Sequence, residues 1–325
     1  MSAPATATAT AAYDRLAELR ALDATTSGVR GLYASGITEL PRIFRVQEPP
    51  PSQPNSDEAA VPLPVIDIGS AADHVACVEA IGRAASEWGF FQVVGHAVPP
   101  EVVTGTMDAV RAFHESEGGE GTEKARLYSR DLARKVKYNC NHDLYKSKYS
   151  KEVMKLTHTL FGLLSEALGL NPSYLTDIEC NEGQFMACHY YPPCPSPELA
   201  IGVATHSDSS FMTVLLKNDR WIDVEPIPGA FIVNIGDMMQ IVSNNKFQSV
   251  KHKVVLKKTT TSRVTIASFA ANPTSNRKYG PIKEILSEEN PPVFKEITPG
   301  DYFTLHHRCS TDSLKNKALE ELRIL

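Results

Sequence analysis

Near residue 183 the hydrophobic period of this sequence changes from 3.6 to 2, and that change limits which folds are open to it. Downstream lie QFMACHYYP, GVATHSD, FMTVLLK, AFIVNIGD, MMQIVSN, VKHKVVL and RVTIASFAA, all short, β-rich and separated by turn residues. Many short strands with frequent turns predict a sandwich or barrel. Upstream the pattern is mostly helical. Val78, Ile81, Ala85 and Trp88 form one apolar stripe, 102–116 reads as a helix, and 151–169 carries Val153, Leu156, Leu160, Leu163 and Ala167 on one face. Two short strands interrupt this region, VIDIG (65–69) and GFFQVVGHAVP (89–99). The glycines of ESEGGEGTEK lack the strand–GxGxxG–helix context of a dinucleotide site and read as a loop. Residues 46–64 are Pro-rich and polar, as in an extended linker. The expected organisation is a tail, short helix and linker over 1–60, a mostly helical region over 61–180, and a β-barrel domain over 181–325.

Composition removes several function classes. With 42% hydrophobic and 22% charged residues the chain is neither disordered nor fibrous. A net charge of -5 gives no basic field for nucleic acid or anionic membrane. No apolar run approaches a membrane span. The six cysteines form no CxxC pair, so zinc and dithiol readings lack support, and the thiols read as small core residues in a reducing cytosol. The N-terminus, Ala/Thr-rich with early Asp14 and Glu18, reads as a disordered cytosolic tail rather than a transit peptide. A cytoplasmic protein, monomeric and acting on a small molecule, is expected.

The chemistry lies in the barrel segments. His206 and Asp208 in THSDSS are two apart, so on a strand they would share a face. His252 lies on another candidate strand. Two histidines and one carboxylate with open positions suit non-haem Fe(II) oxygen chemistry. Arg263 and Thr265 share a strand face in RVTIASF, and a planar guanidinium beside a hydroxyl is suited to gripping a carboxylate. In CHYYPPCP, His189 and Tyr191 share a face aimed where the same ligand could lie. Singly each has a plainer reading: Tyr191 as a core aromatic, His189 as a packing residue, the histidines of the triad as ordinary strand residues. Asp237 in NIGD is expected to serve a turn, His306 and His307 to be surface or packing residues, and KHKVVLKKTTTSR to form a solvated hairpin.

The ordered set EWGFFQVVGHAVP, HYYPPCP, HSD, NIGD, VKH and RVTIASF resembles the plant 2-oxoglutarate/Fe(II)-dependent dioxygenases. The similarity runs from about residue 13 to the C-terminus. The nearest branch is that of the aminocyclopropane-carboxylate oxidase homologues, which includes benzoxazinoid-type hydroxylases. The resemblance implies an α+β fold, a double-stranded β-helix (jelly-roll) core with N-terminal and flanking helices. It implies iron ligands at His206, Asp208 and His252. Arg263 and Thr265 would hold the distal carboxylate of 2-oxoglutarate, with Tyr191 and His189 beside them. Fe(II), 2-oxoglutarate and O2 would be required, with ascorbate as an iron reductant. The implied reaction is hydroxylation, demethylation or desaturation of a plant specialised metabolite or hormone, releasing succinate and CO2.

Some positions depart from the family pattern. Thr265 replaces Ser, His189 stands where many members carry Asn, Ser207 replaces Thr, and Gly95 replaces an Asn. A WRD-containing segment is missing after YNCNHDLYKS (138–147). A QDxxGGLQV stretch is missing between FMTVLLK and NDRWIDV. Loss of a strand there would leave backbone groups at an open barrel edge. Two alternatives follow: a catalytically impaired paralogue or splice variant, and an ascorbate-dependent ethylene-forming oxidase.

Overall fold

The computed structural model describes residues 13–45, 63–70, 73–129, 148–217, 227–256, 258–311 and 317–324. The N-terminal tail to residue 12, most of the Pro-rich linker, Cys140, the YNCNHDLYKS motif and NDRWIDV lie outside them. The helices are α1 (Arg15–Ala24), α2 (Gly28–Ala34), α3 (His74–Glu87), α4 (Pro100–Glu115), α5 (Glu123–Leu127), α6 (Lys148–Ala167), α7 (Tyr174–Asp177), α8 (Asp237–Val242), α9 (Pro299–Thr311) and α10 (Ala318–Glu321). The strands are β1 (Val65–Asp67), β2 (Phe90–Val94), β3 (Gln184–Tyr191), β4 (Ile201–His206), β5 (Met212–Lys217), β6 (Phe231–Ile235), β7 (His252–Val255) and β8 (Arg263–Ala270).

Six strands form one sheet in the order β1-β2-β6-β5-β8-β3; β4 and β7 pair in a second. The alternation of the strands divides the large sheet into two faces. One face carries Phe91, Val93, Met212, Val214, Val233, Val264 and Ile266, all 1% exposed or less. It belongs to the same core as Ile81 of α3 and Tyr149, Val153, Leu160 and Phe161 of α6. Each such side chain contributes about 1.5–3 kcal/mol on burial. The other face, with Thr213, Leu215, Ile232, Asn234 and Thr265, turns toward β4 and β7. Between the sheets lies a cavity of about 390 Å³. This is the double-stranded β-helix with flanking helices that the resemblance implied.

α3 begins where Asp73 accepts a hydrogen bond from the Ala76 amide at 3.0 Å, an N-cap that satisfies one of the free first-turn amides. It packs along α6, where Gly82 lets the helices approach: a Cβ there would stand 3.0 Å from that of Ala167.

Two expectations are corrected. MMQIVSN is not a strand, because residues 237–242 form α8. Every residue of α8 is buried, so the run has no polar face to reveal its period, and a short apolar run is ambiguous by pattern alone. KHKVVLKKTTTSR is not a hairpin either. β7 pairs with β4 while β8 lies between β5 and β3, so the segment crosses from one sheet to the other. Among the described residues the second sheet has two strands.

Candidate metal centre and carboxylate clamp

His206 ends β4, and Asp208 lies just beyond it in the turn leading to β5 rather than on the strand. The facing strand β7 begins at His252, which pairs in register with His206. The three side chains converge, each offering one ligand atom, all within 4.8 Å of one another. Asp208 Oδ1 lies 3.5 Å from His206 Nε2 and 3.7 Å from His252 Nε2.

The surroundings orient each donor atom. His206 Nδ1 lies 2.8 Å from the Ala204 carbonyl, and His252 Nδ1 lies 3.1 Å from that of Val250. A carbonyl only accepts, so both Nδ1 atoms carry the hydrogen, and each ring in its neutral form presents a bare Nε2. Asp208 Oδ2 accepts from the Thr213 hydroxyl at 2.5 Å and the Asn234 amide at 2.8 Å. Burial opposes charge on Asp208, but the hydrogen bond from His206, the charge of His252 and the bonds from Thr213 and Asn234 outweigh it, bringing its pKa to about 2. Its Oδ1 is thus ionised and aimed at the point where both Nε2 atoms face. Two neutral imidazoles and a carboxylate on one side of an open space match a three-ligand facial iron site.

The four residues expected to grip a carboxylate form a cross-strand square. In the antiparallel pairing of β3 and β8, Tyr191 stands opposite Arg263, and His189 opposite Thr265. All four side chains line the cavity that holds the triad. The Arg263 guanidinium lies over the Tyr191 ring, 5.2 Å from its centroid. Burial raises the Tyr191 phenol, partly offset by the Arg263 charge and a hydrogen bond with Thr265. His189 is pushed down to about 4 by burial and the charges of Arg263 and His206, so it is a neutral ring. A fixed cation among neutral donors can take the far carboxylate of a dicarboxylate whose other end reaches the triad. The remaining walls are mostly apolar, with Lys251 and Lys253 among the lining residues. Phe90 sits edge-on to His252 with centroids 5.2 Å apart, and Phe185 lies against Phe269 at 5.7 Å.

The structure therefore brings together all seven sequence-predicted residues. It also reveals groups that pattern reasoning missed. Thr213 and Asn234 hold Asp208, and their one available signal was a lone polar residue inside an otherwise apolar strand. Asp237 does more than serve a turn. It is 1% exposed, and its Oδ2 accepts from Ser207 at 3.0 Å and from the Tyr302 hydroxyl at 2.7 Å. His306 is not merely a packing residue, since its Nε2 reaches the Ser207 carbonyl at 2.9 Å. His307 is exposed, as expected.

Comparison with known proteins agrees with this geometry. Residues 182–272 match the 2OG-Fe(II) oxygenase superfamily, and 63–160 match the N-terminal domain of the non-haem dioxygenases in morphine synthesis. The chain is 42% identical to 1-aminocyclopropane-1-carboxylate oxidase homolog 1 of Arabidopsis thaliana over 349 positions, covering 90% of this chain and 92% of that protein. Homolog 3 of the same plant is 39% identical, covering 92% and 95%. An alignment longer than the chain itself means that the relatives carry residues this chain lacks, in keeping with the segments missing from its sequence. Among solved structures, the JOX2 complex with 2OG, Fe and JA is 30% identical at a TM-score of 0.69, covering 86% of this chain and 92% of that one. Rice dioxygenase for auxin oxidation shares the fold at a TM-score of 0.65 and 23% identity, covering 81% and 100%.

Proposed function

The chain belongs to the 2OG-Fe(II) oxygenase superfamily, and on that premise we propose that it oxidises a small, largely apolar plant metabolite or hormone by hydroxylation, demethylation or desaturation. For hydroxylation the balance is R–H + 2-oxoglutarate + O2 → R–OH + succinate + CO2. The observation that carries the reading is the triad and the Arg263 clamp in one cavity.

In this reading His206, Asp208 and His252 hold iron, and Arg263, Thr265, Tyr191 and His189 bind the cosubstrate. Bound ferrous iron with 2-oxoglutarate supplies O2 activation, coupled to oxidative decarboxylation of the cosubstrate. The chain's own residues do the rest. Thr213 and Asn234 keep Asp208 ionised and pointed inward. Arg263 fixes the register of the cosubstrate, with Thr265 and Tyr191 offering hydroxyls beside it. Phe90 and Phe269 shield the oxidising end from water, and with Phe185 they offer an apolar surface to a substrate C–H bond. The neighbour solved with 2OG, Fe and JA supports 2-oxoglutarate and iron as what this site takes.

Domains over 1–60, 61–180 and 181–325 remain the proposed division, with a monomer in the cytoplasm. Among the described residues no helix is long and apolar enough to cross a membrane.

A screen of small plant acids, phenolics and terpenoids tests the reaction class, reading substrate-dependent succinate above the uncoupled background. Stimulation by one of them, with an oxidised product of matching stoichiometry, is the expected result. Turnover that consumed ascorbate stoichiometrically and formed no succinate would assign the protein to the ethylene-forming type instead.

A further inference from the structure

The metal-bearing turn is gripped from outside by groups that touch neither metal nor cosubstrate in the proposed reading. Gly236, the N-cap of α8, lies so close to the turn that a Cβ on it would overlap the Ser210 carbonyl oxygen. With that contact allowed, α8 docks end-on: the Asp237 amide donates to the Asp208 carbonyl at 2.7 Å, and the Met238 amide to that of Ser210 at 3.2 Å. Ser207, the residue between the first two proposed ligands, is held twice. Its hydroxyl donates to Asp237 Oδ2 at 3.0 Å, and its carbonyl lies 2.9 Å from His306 Nε2. The Tyr302 hydroxyl, fully buried, donates to the same Asp237 oxygen at 2.7 Å. His306 Nε2 also stands 3.8 Å from that oxygen.

We propose that Ser207, Asp237, Tyr302 and His306 act as positioning residues that set the His206–Asp208 angle, so that iron affinity depends on how α9 is seated. Ser207 lies between two ligands, so a rotation of its peptide turns both of them. The network fixes that peptide on its hydroxyl side and on its carbonyl side. Tyr302 and His306 are one helical turn apart on α9, so a single face of that helix supplies both contacts. Outward of it, α10 is tied to α9 by Arg308 and Glu321 at 2.9 Å, which extends the dependence toward the C-terminal segment.

This inference rests on the triad as the iron site, and the test separates the two. Fe(II) affinity is measured on the full chain, together with the charge-transfer absorption of the iron–2-oxoglutarate complex and the melting of the metal-free protein. Ser207→Ala removes one oxygen and Ser207→Thr restores the hydroxyl. The expected result is an affinity loss of about 10-fold in Ser207→Ala. It should come with an altered charge-transfer band and be rescued by Ser207→Thr. Unchanged affinity and band in Ser207→Ala, or a loss that Ser207→Thr fails to rescue, would overturn the positioning role alone. If Asp208→Ala bound iron as the unaltered chain does, the triad would fall and the proposal with it. Should Ser207→Ala not fold, Tyr302→Phe carries the same comparison, with the same 10-fold loss expected.

Discussion

Acidification should destabilise the folded protein through His114. This residue lies on α4, is 8% exposed, and stacks on Tyr190 with ring centroids 5.1 Å apart and planes 10° from parallel. Burial, aided by the charge of Lys124, pushes its pKa down to about 4. In the unfolded chain an ordinary histidine titrates near pH 6.5. Below that pH the unfolded state takes up a proton that the folded state refuses. The stability associated with neutral His114 is therefore complete above pH 6.5 and lost progressively as pH falls toward 4. The full difference is about 3 kcal/mol, of which about 2 kcal/mol is gone by pH 5. Urea unfolding at pH 7 and pH 5 measures it, with His114→Phe as the comparison, because Phe keeps a ring against Tyr190 and cannot titrate. The unaltered chain should lose about 2 kcal/mol more than the variant between those two pH values. Equal losses would show that His114 accepts its proton without penalty, and the burial argument would be wrong.

Three further outcomes follow from the same geometry. Arg263→Gln should raise the KM for 2-oxoglutarate by about 30-fold or more, since removing one partner of a buried charge pair costs about 2–5 kcal/mol; steady-state kinetics at saturating iron measure it. Asn234→Leu removes a donor from Asp208 Oδ2 and should weaken Fe(II) binding by about 10-fold, read by titration calorimetry under nitrogen. Fe(II) at a hundredfold excess over its Kd should stabilise the native state by about 2.7 kcal/mol, seen as a raised melting temperature that a chelator reverses.

The period change near residue 183 was enough to separate the helical half from the barrel, because strands half-buried on one face must alternate. Four of the seven site residues were legible for the same reason, and the metal-ligand set came from the family resemblance. His189 with Tyr191, and Arg263 with Thr265, are two apart on strands, so each pair had to share a face. What escaped was whatever depends on contacts between distant segments. Tyr302 and Asp237 are 65 residues apart, and His306 and Ser207 are 99 apart, so no local pattern could join them. The all-buried α8 escaped because a run without a polar face has no period to read. Asp208 was placed on a strand by its spacing, whereas it sits past the strand end and is aimed by Thr213 and Asn234. The reading of an impaired paralogue rested on missing segments; the described residues nonetheless assemble the three ligand atoms and the clamp in one cavity.

The most direct measurement is succinate formation by the purified chain with Fe(II), 2-oxoglutarate and O2, beside His206→Ala and Asp208→Ala. Uncoupled turnover needs no knowledge of the substrate, so the assay addresses the metal centre alone. Succinate from the unaltered chain, falling at least about 100-fold in both variants, is the expected result. Succinate formed equally well by either variant, or by none of the three proteins, would contradict the assignment of His206, Asp208 and His252 as the iron site.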